Sequence, residues 1–413
     1  PQSPIPNPKS TMNNIFPMLI FLMALAVFLR LDWIYYLVYV LGGTWIFSHW
    51  WVQRSLAQIT VIRHAPEQAF SGETVNARME LVNRSWLPLP WLRIQEAVTN
   101  ELKSTDHYQR IITLGGHSRT QVNFELYCRK RGYYPLGPVT LRTGDLFGFA
   151  ESDWTENSPR HMTVYPRVLP ISALGLDSRA PFGSLRSQQR LFQDPTRMSG
   201  VRAYAAGDSL RHIHWKASAR EDQLLVKKFQ PAIALDVMLV LDLNQAAYPF
   251  KRAVTASEWA IEIAASVASY ITEQRQAVGL ISNGTDPLSG QDAAAIPARA
   301  GRGNLMSVLT LLARVQTQHV EASLGRWLPP HLLDLSWGST LVVVTPRLDE
   351  ESLWMLHGLS RRGLTVVCLI CTGQEKLADL RSRAKRLGIQ IHPTLYEDQL
   401  TGAKTAARPG GAL

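Results

Sequence analysis

Cysteine is scarce in this sequence, and its scarcity limits both the fold and the compartment. The 413 residues include only Cys128, Cys368 and Cys371. Three thiols cannot build the framework of paired disulfides that holds small secreted domains together. The chain is instead long enough for two or three domains with ordinary hydrophobic cores, and its thiols fit a reducing compartment.

Several short catalytic motifs are also missing, and each absence excludes a class of enzyme. The sequence has no Gly-x-Ser-x-Gly elbow, no Walker-type phosphate loop and no His-Glu-x-x-His pair. Cys368 and Cys371 have the Cys-x-x-Cys spacing, but they lie inside an apolar run. A reactive thiol of this kind needs a helix start instead, so we expect both to pack in a core.

Acidic residues are fewer than basic ones, which bears on the choice of partner. There are 43 Lys and Arg against 33 Asp and Glu, a formal net charge of +10. The positive residues are scattered and do not form blocks with interleaved aromatics, so we expect no nucleic-acid binding. An anionic membrane surface or an acidic protein remains compatible with this charge.

Two apolar runs near the N-terminus predict a transmembrane helical hairpin. Residues 1–14 are polar and rich in Pro and Asn, which predicts a disordered tail. Ile15 to Leu29 carries no charge, and Trp33 to Val52 has Trp and Tyr towards its ends. These features predict a hairpin over residues 15–52 in contact with the lipid bilayer. A signal peptide is the alternative for the first run, but no small-x-small cleavage site follows it.

The remaining sequence divides into a β half and an α/β half. Short alternating strands separated by turn signals fill residues 57–170 and predict an antiparallel, β-sandwich-like domain. Residues 171–200, rich in Ser, Arg and Gln, predict a linker. Buried strands alternate with helices over residues 231–400, which predicts a parallel sheet with helices on both faces. Residues 401–413 contain Pro and Gly and predict a loose tail.

A dense basic and aromatic segment, residues 201–230, lies between the two halves. A Gly-Asp turn is followed by a period of two, which predicts an extended stretch with Ile213 and Trp215 on one face. We expect Arg211, Trp215 and Arg220 to form a buried clamp between the halves. The candidate signature residues are Arg202, Tyr204, Gly207, Asp208, Arg211, His212, His214, Trp215, Lys216, Ser218 and Arg220.

The order and spacing of these residues resemble the signature of a bacterial family, the domain of unknown function 58 (DUF58). The run Leu-Leu-Val-Lys-Lys-Phe at 224–229 and a strand that ends at Asp242 fit the same pattern. The resemblance implies a von Willebrand factor A-like fold for residues 231–400. It also implies a MoxR-type AAA+ ATPase as partner and a role in protein assembly or maturation, and we expect the chain to act there by binding and not by catalysis. With the hairpin, we expect a bacterial inner-membrane protein whose soluble domains face the cytoplasm.

A hydrolase or transferase that uses the basic signature is the alternative function. His212 or His214 would exchange protons, and Arg211 would hold an anionic group. The members of a catalytic triad must converge through hydrogen bonds, which neighbours on one extended stretch rarely do. A binding role is therefore preferred, and neither function fixes the oligomeric state.

Asp242 stands where metal-binding A domains have an Asp-x-Ser-x-Ser loop. Here the loop reads Asp242-Leu-Asn244-Gln-Ala246, and a later strand ends at Thr345-Pro-Arg347. A hard cation needs several oxygen ligands, and an alanine and an arginine supply none. We therefore expect no metal and no other cofactor. Asp242, Asn244 and Thr345 form a degenerate metal-site loop, in which Asp242 and Asn244 cap the following turn.

Overall fold

The chain forms two compact units, Pro1–Arg167 and Val168–Leu413, with mixed α/β content and several sheets. The structure, a computed structural model, describes residues 15–29, 32–103, 109–158, 160–171, 193–205, 213–221, 223–231, 236–333, 335–374 and 377–395. The predicted tails, residues 1–14 and 401–413, lie outside these residues. So does most of the predicted linker, residues 171–200.

The described part of the first unit begins with helices and continues with strands. The helices are α1 (Ile15–Leu29) and α2 (Asp32–Leu56). The strands are β1 (Ile59–His64), β2 (Gln68–Phe70), β3 (Thr74–Asn83), β4 (Leu89–Glu96), β5 (Gln109–Leu114), β6 (Arg119–Tyr127), β7 (Gly132–Leu136), β8 (Val139–Gly144), β9 (Glu151–Glu156) and β10 (Arg160–Tyr165).

These strands form sheets with the orders β1-β3-β6, β5-β4-β8-β9 and β2-β10-β7. Alternate residues of β3 are buried, as expected for a strand with one face towards a core. Met79 and Leu81 of β3 pack in one apolar cluster with Leu92 of β4 and Leu141 of β8. The first two sheets therefore share a core.

The predicted transmembrane hairpin over residues 15–52 is wrong. Among the described residues, no helix combines the length and the apolar character that a bilayer span requires. The 15 residues of α1 extend about 22 Å at about 1.5 Å per residue, short of the roughly 30 Å hydrocarbon layer. The 25-residue α2 is long enough, but it begins at Asp32, contains Gly42 and Gly43, and carries Arg54 in its last turn.

The last turns of α2 belong to the core of the first unit. Val52 and Leu56 are each 2% exposed, and Leu56 joins the cluster that the two sheets share. The hydroxyl of Ser48 donates to Asp145 Oδ2 (3.1 Å), and the indole of Trp51 donates to the carbonyl of Pro88 (3.0 Å). This half of α2 is therefore fixed to the strands by both packing and hydrogen bonds.

A charged cluster is buried in the same unit. Arg63 donates through Nη1 to the carbonyl of Leu136 (2.9 Å). Its Nε and Nη2 each lie 3.7 Å from a carboxylate oxygen, of Glu96 and Glu156 respectively. Neither oxygen of Glu96 has a hydrogen-bond partner within the described part of the chain. Burial raises the pKa of Glu96 to about 7, although Arg63 acts in the opposite direction.

The described part of the second unit opens with a two-stranded ribbon and continues as alternating strands and helices. The helices are α3 (Trp215–Glu221), α4 (Ala253–Glu273), α5 (Arg302–Arg314), α6 (Leu324–Trp327), α7 (Glu350–Arg361) and α8 (Leu377–Arg386). The strands are β11 (Gln193–Ala203), β12 (Leu225–Pro231), β13 (Val237–Leu241), β14 (Val278–Ser282), β15 (Thr285–Asp286), β16 (Gln291–Asp292), β17 (Ile296–Arg299), β18 (Thr340–Thr345), β19 (Thr365–Ile370) and β20 (Gln390–Pro393).

The central sheet of the second unit has the order β17-β14-β13-β18-β19-β20. All neighbouring pairs are parallel except β14 with β17. Every residue of β13, β14 and β18 is buried, as expected for strands covered on both faces. From β13 the chain builds β14 and β17 on one side, then returns to build β18 on the other. The carboxyl ends of β13 and β18 thus mark a topological switch point, where ligands bind in open α/β sheets.

Candidate functional site

Asp242 lies at this switch point, directly after β13. Its side chain is 3% exposed and faces the end of β18, where Thr345 is fully buried. The hydroxyl of Thr345 donates to Asp242 Oδ2 (2.9 Å). The carboxyl ends of the two strands are therefore joined by a buried hydrogen bond between side chains that are 103 positions apart in sequence.

The other carboxylate oxygen of Asp242 is also occupied. Oδ1 accepts from Asn283 Nδ2 (2.8 Å) and from the backbone N–H of Asn244 (3.1 Å). Burial raises the pKa of Asp242, while these hydrogen bonds, Thr345 and the charge of Arg347 oppose the rise. Asp242 therefore joins three loops at the carboxyl edge of the sheet.

Asn244 and Tyr248 order the loop that follows β13. Asn244 Oδ1 accepts from the N–H of Ala246 (3.1 Å), and its Nδ2 donates to the carbonyl of Val320 (2.8 Å). The hydroxyl of Tyr248 donates to the backbone carbonyl of Asp242 (2.7 Å). The loop is thus anchored at both ends, and the predicted capping role of Asn244 is what the structure has.

A cavity of about 410 Å³ opens above this network. One wall is the loop after β13, a second is the segment from His319 to Leu324, and a third is the start of α7. Arg347 and Asp349 are exposed at its margin, and the carboxylate of Asp349 caps α7 by accepting from the N–H of Ser352 (2.8 Å). The cavity therefore offers both charges to a ligand.

These residues do not fit a divalent-cation site. The Asn244 amide oxygen already accepts from Ala246 and Val320, and Ala246 has no side-chain oxygen. Arg347 would bring a positive charge close to the ion. Within the described ranges, no three His, Cys, Asp or Glu side chains are grouped to hold a metal.

The signature segment folds differently from the extended stretch that we predict. Residues 206–212, with Gly207, Asp208, Arg211 and His212, lie outside the described residues. Ile213 forms an isolated bridge with Val226, and α3 begins two residues later. An alternation over the five residues 212–216 is too short to exclude a helix start, which explains the difference.

His214 and Ser218 have structural contacts in place of catalytic ones. His214 Nδ1 accepts from the N–H of Ala217 (3.0 Å) in the first turn of α3. The buried hydroxyl of Ser218 accepts from the N–H of Leu225 (2.9 Å) and lies 3.1 Å from the carbonyl of His214. The ring and the hydroxyl therefore both satisfy backbone groups, and they do not form the nucleophile–base pair of a hydrolase.

Two of the three predicted clamp residues, Trp215 and Arg220, are not buried, and the third, Arg211, lies outside the described residues. Trp215 is 67% exposed, and Lys216 and Arg220 are exposed on the same short helix. The backbone N–H of Tyr204 donates to the carbonyl of Leu224 (2.8 Å), and Arg202 Nη1 donates to the carbonyl of Ala203 (3.1 Å). The described part of the segment is thus held by backbone pairing of β11 with β12, while Arg202 and Tyr204 are half-buried.

A pair of substitutions separates these roles. We expect Trp215→Ala to change the free energy of unfolding by less than about 0.5 kcal/mol, because the indole is exposed. Ser218→Ala should lower it by about 1–3 kcal/mol, because the buried N–H of Leu225 loses its acceptor. Denaturant unfolding of both variants measures the difference. If Trp215→Ala lost more stability than Ser218→Ala, the indole would have the buried, stabilising role that the clamp hypothesis gives it.

Cys368 and Cys371 are free and buried, and burial raises the pKa of each thiol to about 12. A thiolate is the reactive form, so these thiols are unreactive at neutral pH. They pack in and after β19, where the sequence places them.

Asn283 is the residue of this network that sequence reasoning missed. It follows β14 just as Asp242 follows β13, and its Oδ1 accepts from the backbone N–H of Leu243 (2.5 Å). Its position in the sequence could have indicated it, because adjacent parallel strands bring the residues that follow them to the same edge of the sheet. The run Ser-Asn-Gly at 282–284 is also typical of an ordinary turn.

Comparison with known proteins identifies the family that the signature resembles. Residues 200–375 match the model described as "Protein of unknown function DUF58". The uncharacterized protein YeaD of Bacillus subtilis (strain 168) is 24% identical over 331 residues, which cover 78% of this chain and 77% of that protein. The resemblance to DUF58 is therefore confirmed.

Similar solved structures cover smaller parts of the chain. A complex of zinc 2-glycoprotein and prolactin inducible protein from human seminal plasma has a TM-score of 0.22 at 9% identity, covering 26% of this chain and 92% of that chain. Native alpha-2-macroglobulin from Escherichia coli has a TM-score of 0.23 at 16% identity, covering 30% of this chain and 21% of that chain. Scores this low support no conclusion about fold or function.

Proposed function

Residues 200–375 carry the DUF58 pattern, and from that premise we propose that the chain is a non-catalytic interaction protein. Its second unit binds a protein partner at the carboxyl edge of the six-stranded sheet. The observation that supports this most is the network around Asp242. That network joins three loops into a fixed rim around an open cavity of about 410 Å³.

A binding role fits the chemistry of this rim better than catalysis does. Both oxygens of Asp242 accept hydrogen bonds from the protein, so the carboxylate is committed to holding the loops. His214, the described member of the alternative enzymatic set, accepts a hydrogen bond from a backbone N–H. A general base must instead reach a proton of the substrate.

We propose a von Willebrand factor A-like fold for the second unit. Numbered along the chain, the central strands stand in the order 3-2-1-4-5-6, with the third antiparallel to its neighbour. Such a sheet presents its loops at one edge, where they are free to vary in sequence without disturbing the core.

The partner we propose is a MoxR-type AAA+ ATPase, as the family resemblance implies. We expect the full chain to bind the purified ATPase, with the dissociation constant measured by biolayer interferometry. Arg347→Ala, at the cavity, should weaken binding about tenfold, as loss of one interface charge often does. Arg361→Ala, in the last turn of α7, is the matched control and should bind like the parent. A parent chain that fails to bind the ATPase would contradict the proposal.

A further inference from the structure

The turn that precedes α4 holds an aromatic ring entirely in solvent. Phe250 is 100% exposed, and Val254, one turn later, is 70% exposed. Apolar atoms are common on protein surfaces, but a fully exposed phenylalanine gains nothing from the fold that displays it. The ring is therefore available for contact with a partner.

The backbone around this ring is held by hydrogen bonds. Tyr248 is buried and donates its hydroxyl to the carbonyl of Asp242 (2.7 Å). Phe250 opens a short 3-10 turn, in which the N–H of Arg252 donates to the carbonyl of Pro249 (2.9 Å), and α4 follows directly. The ring is thus presented from a fixed support, which lowers the entropy lost when a partner binds it.

Positive charge surrounds the exposed apolar pair. Lys251 and Arg252 are exposed, and the first turn of α4 contains no acidic residue. No side chain caps this helix start either, and the positive end of the helix dipole adds to the potential. In the adjoining cavity the exposed charges are mixed, with Glu321 and Asp349 beside His319 and Arg347, all of them lining residues. The basic character is therefore concentrated next to Phe250.

We propose that Phe250 and Val254, flanked by Lys251 and Arg252, form an anchor that inserts into an apolar pocket rimmed by carboxylates on a partner protein. Aromatic and arginine side chains dominate binding energy when a partner buries them at the centre of an interface. Complementary charge at the rim would steer the encounter and select the partner. The anchor rests on the proposed function, because it assigns a binding face to that same interaction.

The test uses the full chain and the purified MoxR-type ATPase as the probe. Phe250→Ala should raise the dissociation constant about thirtyfold, the effect typical of a hot spot. Leu333→Ala removes another exposed apolar side chain of the second unit, 77% exposed, and should change binding less than twofold. The melting temperature of Phe250→Ala should equal that of the parent, because the ring has no contacts to lose.

Charge reversal tests the two basic residues beside Phe250 separately. Lys251→Glu combined with Arg252→Glu should slow association about tenfold at low ionic strength and flatten its dependence on salt. If Phe250→Ala binds like the parent, the anchor is wrong and the proposed function survives. If the parent does not bind the ATPase, both are wrong. Parent binding to phosphatidylglycerol vesicles, or parent dimers in sedimentation, that Phe250→Ala abolishes would assign the turn to lipid or to a second copy and overturn the anchor.

Discussion

Replacing Glu96 with glutamine should stabilise the first unit by about 3 kcal/mol at pH 8 but by less than about 1 kcal/mol at pH 5. The pKa of Glu96 is about 7 in the folded chain, against an ordinary value of 4.5. The folded state therefore binds this proton more tightly than the unfolded state does. The resulting stability is fully present below pH 4.5 and is lost as the pH rises through 7. Glutamine imitates the protonated form and should show no such loss.

The measurement is the free energy of unfolding between pH 5 and 8, followed by native-state hydrogen exchange of core amides in β3 and β4. Glu67→Gln, at an exposed position of the same unit, should give a curve parallel to that of the parent. The Glu96→Gln curve should rise above the parent curve as the pH increases. If these two curves stayed parallel, Glu96 would not be the group that titrates.

Asp242→Ala should destabilise the second unit by about 3 kcal/mol, because it leaves two buried donors unpaired at about 1–3 kcal/mol each. Those donors are Asn283 Nδ2 and the N–H of Asn244. The hydroxyl of Thr345 loses less, since the carbonyl of Arg347 lies 2.8 Å away as a second acceptor. Denaturant unfolding followed by hydrogen exchange in β13 and β18 measures the loss.

Asp242→Asn is the matched control for this substitution. The asparagine keeps Oδ1 for Asn283 and for the N–H of Asn244, and its amide group can donate to the hydroxyl of Thr345. That hydroxyl then donates to Arg347. We therefore expect a loss below about 1 kcal/mol. A loss as large as that of Asp242→Ala would mean that this edge of the sheet requires the negative charge of the carboxylate. A bound cation would create such a requirement.

The strands around the candidate site are easy to predict from sequence, because each is an unbroken apolar run followed by a polar residue. Leu341 to Val344 can bury both faces only in the middle of a covered sheet, so Thr345 had to emerge at its edge. The same reasoning places Asp242. Local sequence thus determines the strands and the polar residues that follow them, whereas their hydrogen-bond partners are seen only in the structure.

Features that depend on particular side-chain contacts with the backbone were not predictable. The α3 start depends on a ring nitrogen of His214 and on the hydroxyl of Ser218 meeting Leu225, seven residues away. The exposure of Trp215 and Phe250 depends on which face of a short turn the core leaves uncovered. Both residues are apolar, and hydropathy predicts the opposite environment for them.

The packing of α2 determines where a recombinant fragment of the first unit can begin. A fragment starting at residue 57, at the edge of the strands, would remove Leu56 and Val52 and open a void between the two sheets. It would also strip the indole of Trp51 from the carbonyl of Pro88. An expression boundary placed before Ser48 keeps these side chains and the Asp145 hydrogen bond. The last turns of α2 are thus part of the folded strand domain, and a boundary placed between the helical and the strand sequence would remove them.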